Sequence, residues 1–273
     1  MNLLNMDRAL GLYEGVKDDM KFFVNSEVRS KILLSLQEKP KDLAVLRMEL
    51  NFSSSTILHG MYQLEDKKLV FKNSGLYSLS QMGQLYALKL LNLMKSFSSM
   101  NNLESLFLNH EIEVIPPKLL QDIDCLEKGS ILESRPQDLM GPYKTISDKV
   151  LNSEKVKLIS SVFYPFHLDV LRNSKSSGLK VDLIVTNDVC DILLNDYKED
   201  FSKINPSEVN LWKIDDHLKL SFSLADEFMA LGLFLDNGVY DSNRFLISEG
   251  KEAVSWGNKL FNHYLSQATE FKL

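Results

Sequence analysis

A short run in the N-terminal third carries the residue types best suited to reading a polyanion. Ser54, Ser55, Leu58, His59 and Tyr62 take the outward positions of a helical pattern. Hydroxyls and an imidazole can hydrogen-bond base edges or phosphates, a phenol can reach a phosphate, and a leucine can touch a thymine methyl. Just beyond them, Lys67, Lys68, Lys72 and Asn73 gather around one hairpin, where they could neutralise phosphates or enter a minor groove. That helix has no arginine, although arginine to guanine is the commonest specific contact. A second polar set, Ser160, Tyr164, His167, Thr186 and Asp226, falls at the ends of predicted strands. Strand ends of an α/β sheet are where small ligands bind, and hydroxyls, one imidazole and one carboxylate suit a small polar metabolite. Taken singly, each is also the kind of polar group a core buries with a partner.

Other chemistry is thinly represented. There is no Gly-x-Gly-x-x-Gly, phosphate-binding loop or His-Glu-x-x-His. Cys125 and Cys190 are too few and too far apart for a disulfide framework or a zinc site. No metal, cofactor or catalytic group is expected.

The elements that position these residues can be read from apolar spacing and turn signals. Helices are predicted from Asp18 to Ser26 and from Ser26 to Lys39, with Phe22, Phe23, Val28, Ile32, Leu33 and Leu36 at three- and four-residue intervals. Pro40 stops the second, and Lys41-Asp42 opens a short third. A turn at Asn51-Phe52-Ser53 leads to a fourth helix reaching about Lys68, with Ser53, Ser54 and Ser55 as candidate caps and Ile57, Met61 and Leu64 on its inner face. Leu69-Val70-Phe71 and Leu76-Tyr77-Ser78-Leu79 flank a glycine-containing turn. Three helices and a hairpin in that order make a winged helix-turn-helix. The run Tyr77-Ser78-Leu79-Ser80-Gln81-Met82-Gly83 resembles the Tyr-x-Leu-Thr-x-x-Gly ending common in such domains.

From Gln81 to about His110 a further helix carries Leu85, Leu88, Leu91, Met94, Phe97, Met100, Leu103, Leu106 and Phe107. This is more apolar surface than one small domain covers, so the segment reads as linker and homodimer helix. Beyond it, strands predicted at Lys155–Phe163 and Lys180–Thr186 bracket a helix from Pro165 to Ser174, the pattern of a parallel α/β sheet. Further strands are expected at Glu208–Trp212, Leu218–Leu224 and Phe228–Leu235. A turn at Asp236-Asn237-Gly238 precedes Val239-Tyr240-Asp241, and a final helix starts at Ser248.

The fold class is therefore α+β in two domains: a winged helix-turn-helix over 1–80, a linker helix over 81–110 and an α/β effector domain over 111–273. The 273 residues, 44% hydrophobic and 25% charged, suit two such cores. Residues 1–110 hold 13 basic against 11 acidic residues, whereas the remainder holds 18 against 26. Contact with nucleic acid, if made, must then be local to the first third. No apolar run reaches the ~20 residues of a membrane helix, and the N-terminus lacks the pattern of a secretory signal. A cytoplasmic protein with no membrane partner is the expectation.

Four ordered segments carry a resemblance to a family: Leu158-Ile159-Ser160-Ser161-Val162-Phe163-Tyr164-Pro165, Leu183 to Val189, Asp226 to Phe234, and Ala253 to Tyr264. From about Lys17 to Phe271 the chain resembles the archaeal transcriptional regulators known as methanogenesis regulatory proteins. The resemblance implies a winged helix joined to a sensor domain similar to a catalytically silent phospholipase-D-like fold, in a transcription factor of a methanogen or related archaeon. Phospholipase-D enzymes use His-x-Lys-x4-Asp, with histidine as nucleophile and lysine gripping phosphate. Here His217-Leu218-Lys219 is separated from Asp226 by six residues, and Tyr164-Pro165-Phe166-His167 has no lysine two residues on. A dimeric, ligand-responsive regulator of double-stranded DNA is thus expected, the alternative being a phosphodiesterase tethered to a winged-helix module.

Overall fold

The computed structural model describes residues 6–201 and 207–271. The chain divides into two compact units, Met1–Met94 and Lys95–Leu273.

The first unit holds α1 (Met6–Val24), α2 (Glu27–Glu38), α3 (Leu43–Leu50), α4 (Ser54–Asp66), the strands β1 (Val70–Asn73) and β2 (Leu76–Leu79), and the first part of α5 (Gln81–Asn102). Short polar side chains start the inner helices. Ser26, Asp42 and Ser53 accept hydrogen bonds from the amides of Arg29, Val45 and Thr56 at 3.3, 2.8 and 3.2 Å. Asn51, in the left-handed conformation at φ 55°, closes α3 and begins the turn into α4. Ile32, Leu33, Leu46, Ile57, Met61 and Leu64 interlock as the core. β1 and β2 pair antiparallel through a two-residue turn, Ser74-Gly75, with both residues at positive φ. Lys41 adds a single bridge to β2, exchanging both backbone hydrogen bonds with Tyr77 at 2.8 and 3.1 Å. Its buried ammonium meets Glu49 at 2.7 Å.

The Tyr77 to Gly83 ending has a physical cause. Ser80 Oγ accepts the Gly83 amide at 3.0 Å and donates to the Lys68 carbonyl at 2.7 Å, capping α5 while tying it to the hairpin. A Cβ on Gly83 would stand 2.0 Å from the Leu69 carbonyl oxygen, so only glycine allows that approach.

α1 differs from expectation. It begins at Met6, twelve residues before the predicted start, and none of its residues is fully buried. Gly11 and Gly15 lie inside it, each costing about 1 kcal/mol of helix stability relative to alanine.

The second unit contains the rest of α5, then α6 (Glu104–Phe107), α7 (Pro117–Gln121), a 3-10 turn at Ile123–Leu126, β3 (Ser130–Glu133), α8 (Gly141–Leu151), β4 (Lys155–Ser160), α9 (Phe166–Ser177), β5 (Lys180–Thr186), α10 (Asn187–Asp196), α11 (Lys198–Phe201), β6 (Val209–Ile214), β7 (Leu220–Leu224), β8 (Phe228–Leu233), β9 (Arg244–Glu249), α12 (Lys251–Leu265) and β10 (Thr269–Glu270). The eight strands form one sheet in the order β10-β6-β5-β4-β7-β8-β9-β3. Cores lie on both faces, one around Ile146, Val170, Leu183 and Val189, the other around Leu106, Trp256, Leu260 and Phe261.

That sheet is mixed rather than parallel. β4, β5 and β6 run parallel as the βαβ pattern predicts, whereas β7, β8, β9, β3 and β10 pair antiparallel. β3, β9 and β10 lie outside the strands expected from the sequence. Asp236-Asn237-Gly238 does turn the chain, but it leads only to a single bridge between Phe234 and Tyr240, and the strand proper starts at Arg244. The last helix begins at Lys251, with Ser248 inside β9. The helix expected over 81–110 ends at Asn102 and restarts at Glu104, with Leu103 and Leu106 turned into the core of the second unit. Among the described residues no helix is long and apolar enough to cross a membrane.

Candidate nucleic-acid interface

The core of the first unit decides which side of α4 is left for a ligand. Ile57, Met61 and Leu64 are buried, so Ser55, Leu58, His59 and Tyr62 face outward. Tyr62 is 70% exposed and Leu58 43%. Ser54, at the first turn, is half-buried. The Ser53 hydroxyl lies 2.9 Å from that of Ser55 and 2.7 Å from that of Thr56, so the first turn of α4 presents a linked row of hydroxyls. His59 Nε2 sits 3.1 Å from Gln63 Nε2 one turn on.

The lysines do not form one cluster. Lys67 lies at the C-terminal end of α4, where its ammonium pairs with Asp19 of α1 at 2.9 Å and sits 5.6 Å from the Phe22 ring centre. The hydrogen bond to Asp19 raises its pKa. Lys68 occupies a left-handed position, φ 59°, at the base of the hairpin. Lys72 and Asn73 stand near the tip, the Lys72 ammonium 4.9 Å from the Tyr77 ring centre and the Asn73 amide oxygen accepting from Ser74. Four residues of strand span about 13 Å, so the grouping of Lys67 and Lys68 with Lys72 and Asn73 separates into a base and a tip. Lys67 is committed to an ion pair because the packing of α1 against the end of α4 brings Asp19, 48 residues earlier, beside it.

One cation was missed. Arg47, exposed in the last turn of α3, has no side-chain ion pair or hydrogen bond among the described residues and precedes the turn into α4. Its signal was its place in the first helix of the helix-turn-helix pair, the helix that crosses the backbone of a bound duplex.

In the second unit, the five residues expected to share a rim do not meet. Ser160 and Thr186 end the parallel strands β4 and β5 on the same edge of the sheet, and both are buried. Ser160 Oγ donates to the Val162 carbonyl. Tyr164 and His167 come after β4 at that edge, the buried His167 accepting the Tyr164 amide at Nδ1, 3.2 Å away. Burial holds the imidazole neutral, with its pKa lowered to about 3. Asp226 lies elsewhere. It sits in the turn between β7 and β8, and its carboxylate accepts the Glu154 amide at 3.1 Å, before the start of β4. Because β7 runs antiparallel to β4, the turn after it falls at the far end of that strand, about 20 Å from Ser160.

What Tyr164 does line is a cavity of about 10 Å³, with Tyr143, Phe166, Ser221, Ser223 and Phe245. Such a space approximates one water molecule. The hydroxyls of Tyr164 and Tyr240 are buried without a hydrogen bond of good geometry. Burial pushes the Tyr164 phenol up and carries Tyr143 and Tyr240 each to about 12.

The His-x-Lys pair is dispersed as well. The His217 side chain is 99% exposed, and Lys219 is held by Glu111 at 2.8 and 2.9 Å. Both precede β7, whereas Asp226 comes after it. Nucleophile, phosphate grip and acid therefore do not converge. No group of three or more potential metal ligands occurs among the described residues.

Two family models match the chain. "Methanogenesis regulatory protein FilR1, N-terminal domain" covers residues 17–98, and the middle domain of the same protein covers residues 139–267. The methanogenesis regulatory protein FilR1 of Methanothrix harundinacea (strain 6Ac) is 28% identical over 258 residues. That alignment takes in 92% of this chain and 57% of the relative, so the chain spans little more than half of its length. Among solved structures, the archaeal chromatin protein TrmBL2 is similar at 13% identity and a TM-score of 0.41, over 89% of this chain and 94% of that one. NUC, a phospholipase D family member from Salmonella typhimurium, is similar at 11% identity and a TM-score of 0.40, over 53% of this chain and 99% of that one.

Proposed function

Because the chain belongs to the FilR1 family of methanogenesis regulatory proteins, we propose that it is a transcription regulator whose first unit is a winged helix-turn-helix for double-stranded DNA. The observation that carries the reading is the division of α4 into a buried face, Ile57, Met61 and Leu64, and an exposed face, Ser55, Leu58, His59 and Tyr62. A helix of this kind enters the major groove with its first turns against base edges. Its hydroxyls, imidazole and leucine methyls then read bases, Tyr62 reaches a phosphate, Arg47 on α3 meets the backbone, and Lys72 and Asn73 at the hairpin tip take the flanking phosphates or minor groove.

The chain acts as a homodimer with its 81–110 segment at the interface, matching two recognition helices to two half-sites. A small polar ligand held by the second unit biases that spacing, which requires different affinity for two dimer states. Tyr164 is its candidate contact, and the cavity that Tyr164 lines, about 10 Å³, admits one water and must open to take anything larger. Separation of His217 and Lys219 from Asp226 across β7 supports regulation rather than phosphodiester hydrolysis.

Titration of the full chain against duplex DNA at several salt concentrations tests the reading. Binding that weakens steeply and log-linearly with salt is expected, since phosphate neutralisation releases counterions. Absence of binding at low salt would remove it.

A further inference from the structure

Within the first unit, no described residue covers a long apolar surface of α1. α1 runs for 19 residues without a buried side chain, yet Met6, Leu10, Tyr13, Met20 and Val24 recur along it at the alternating four- and three-residue spacing of a coiled-coil seam, with Lys17 filling the one polar position. All five are about half exposed or more. Beside this seam a groove of about 310 Å³ opens between α1 and α5, with Val16, Met20 and Phe23 on one wall and Tyr86, Leu90 and Leu93 on the other. A helix carrying two interior glycines, and packing only Phe22 and Phe23 partly against the core, has little reason to keep such a seam unless something covers it.

We infer that the cover is α1 of a second copy, packed antiparallel across a two-fold axis near Gly15. The seam is complementary to itself in that direction. Met6 meets Val24 of the second copy, Leu10 meets its Met20, and Tyr13 meets its Lys17, so every layer closes with one register. The flanks agree: Asp7 falls within a turn of Lys21 of the second copy, and the reverse pair repeats it. Glu14 of the two copies approach at the axis, each already paired with its own Lys17. In the parallel direction Lys17 would face Lys17 in the seam. Leu12 is the one large exposed apolar residue of α1 outside both seam and groove.

This deepens the dimeric reading above without depending on DNA, because the readout is hydrodynamic. Sedimentation equilibrium of the full chain is expected to give a dimer, and Leu10→Glu a monomer with unchanged helical content, its association weakened at least 100-fold. Asp7→Lys and Lys21→Glu should each weaken association about tenfold. An equimolar mixture of those two variants should restore it, since both flank pairs of the heterodimer are then attractive. In a Leu10→Cys, Met20→Cys variant, oxidation should link two chains, whereas Leu10→Cys alone should not. A monomeric wild type, a dimer in Leu10→Glu, or a mixture no tighter than its components would overturn the inference. If Leu10→Glu stays dimeric while Leu88→Glu becomes monomeric, the interface is the 81–110 segment alone, and the proposed regulatory role stands without the α1 seam.

Discussion

In the second unit the ring of His110 lies between two acceptors, with Nδ1 2.8 Å from the Leu106 carbonyl and Nε2 3.1 Å from Asp241 Oδ2. A carbonyl accepts only, so the Nδ1 contact is donated by the ring, and the carboxylate is the partner of Nε2. The pair joins the end of α6 to the segment between β8 and β9, and Asp241 Oδ1 also accepts the Asn243 amide at 2.9 Å. Both side chains are almost wholly buried. Asp241→Asn replaces a carboxylate that accepts from both His110 and Asn243 with an amide, and leaving a buried polar group unsatisfied costs about 1–3 kcal/mol. A drop of that size in chemical-denaturation stability of the second unit is expected. A change within about 0.5 kcal/mol, the range of neutral surface substitutions, would mean that the contact adds nothing to stability.

Gly83 makes a sharper demand on backbone. A methyl there would stand against the Leu69 carbonyl, which cannot rotate away as a side chain can. Gly83→Ala is therefore expected to cost roughly 3 kcal/mol or more, in the class of overpacked sites. Hydrogen exchange of the β1–β2 hairpin amides reads it directly, because the start of α5 and the base of the hairpin must separate.

His167 sets a pH dependence with a definite sign. Its folded pKa is depressed to about 3 by burial, against about 6.5 in an unfolded chain. Between those values the unfolded state holds a proton that the folded state refuses, so this histidine favours folding above about pH 6.5 and its contribution falls as pH drops toward 3. The loss reaches a few kcal/mol. His167→Gln should flatten the stability profile over about pH 6 to 4 relative to wild type, and an unchanged profile would place the imidazole in contact with water.

The cations of the first unit separate into two groups. Arg47 and Lys72 have no carboxylate partner among the described residues, whereas Lys67 is paired with Asp19. Substitution of Arg47 or Lys72 by alanine is expected to weaken binding alike across duplex sequences and to lower the salt slope by about one each. Lys67→Ala should change that slope by less than half as much. Equal slopes for the three variants would restore the single basic cluster.

The sequence was most legible where local signals agreed. Ser53 as a cap and Ile57, Met61 and Leu64 at helical spacing fix α4 and its outer face together, and the Tyr77 to Gly83 run marks the end of the hairpin. The failures come from partners distant in sequence. Lys67 reads as a solvated cation until tertiary packing places Asp19, 48 residues earlier in the chain, beside it. Asp226 reads as a strand-end ligand, yet strand direction, which periodicity does not encode, puts it on the opposite edge from Ser160. β9 escaped because its buried residues do not alternate, and its place beside β3 is a long-range pairing.

The central claim is that the exposed face of α4 reads base sequence. Duplexes selected from a random pool by the full chain should bind at least ~10³-fold more tightly than a scrambled duplex at physiological salt. In His59→Ala, Tyr62→Ala that preference should collapse while binding to the scrambled duplex persists. A selected duplex bound no better than the scrambled one, or a preference unchanged in the double variant, would contradict the claim.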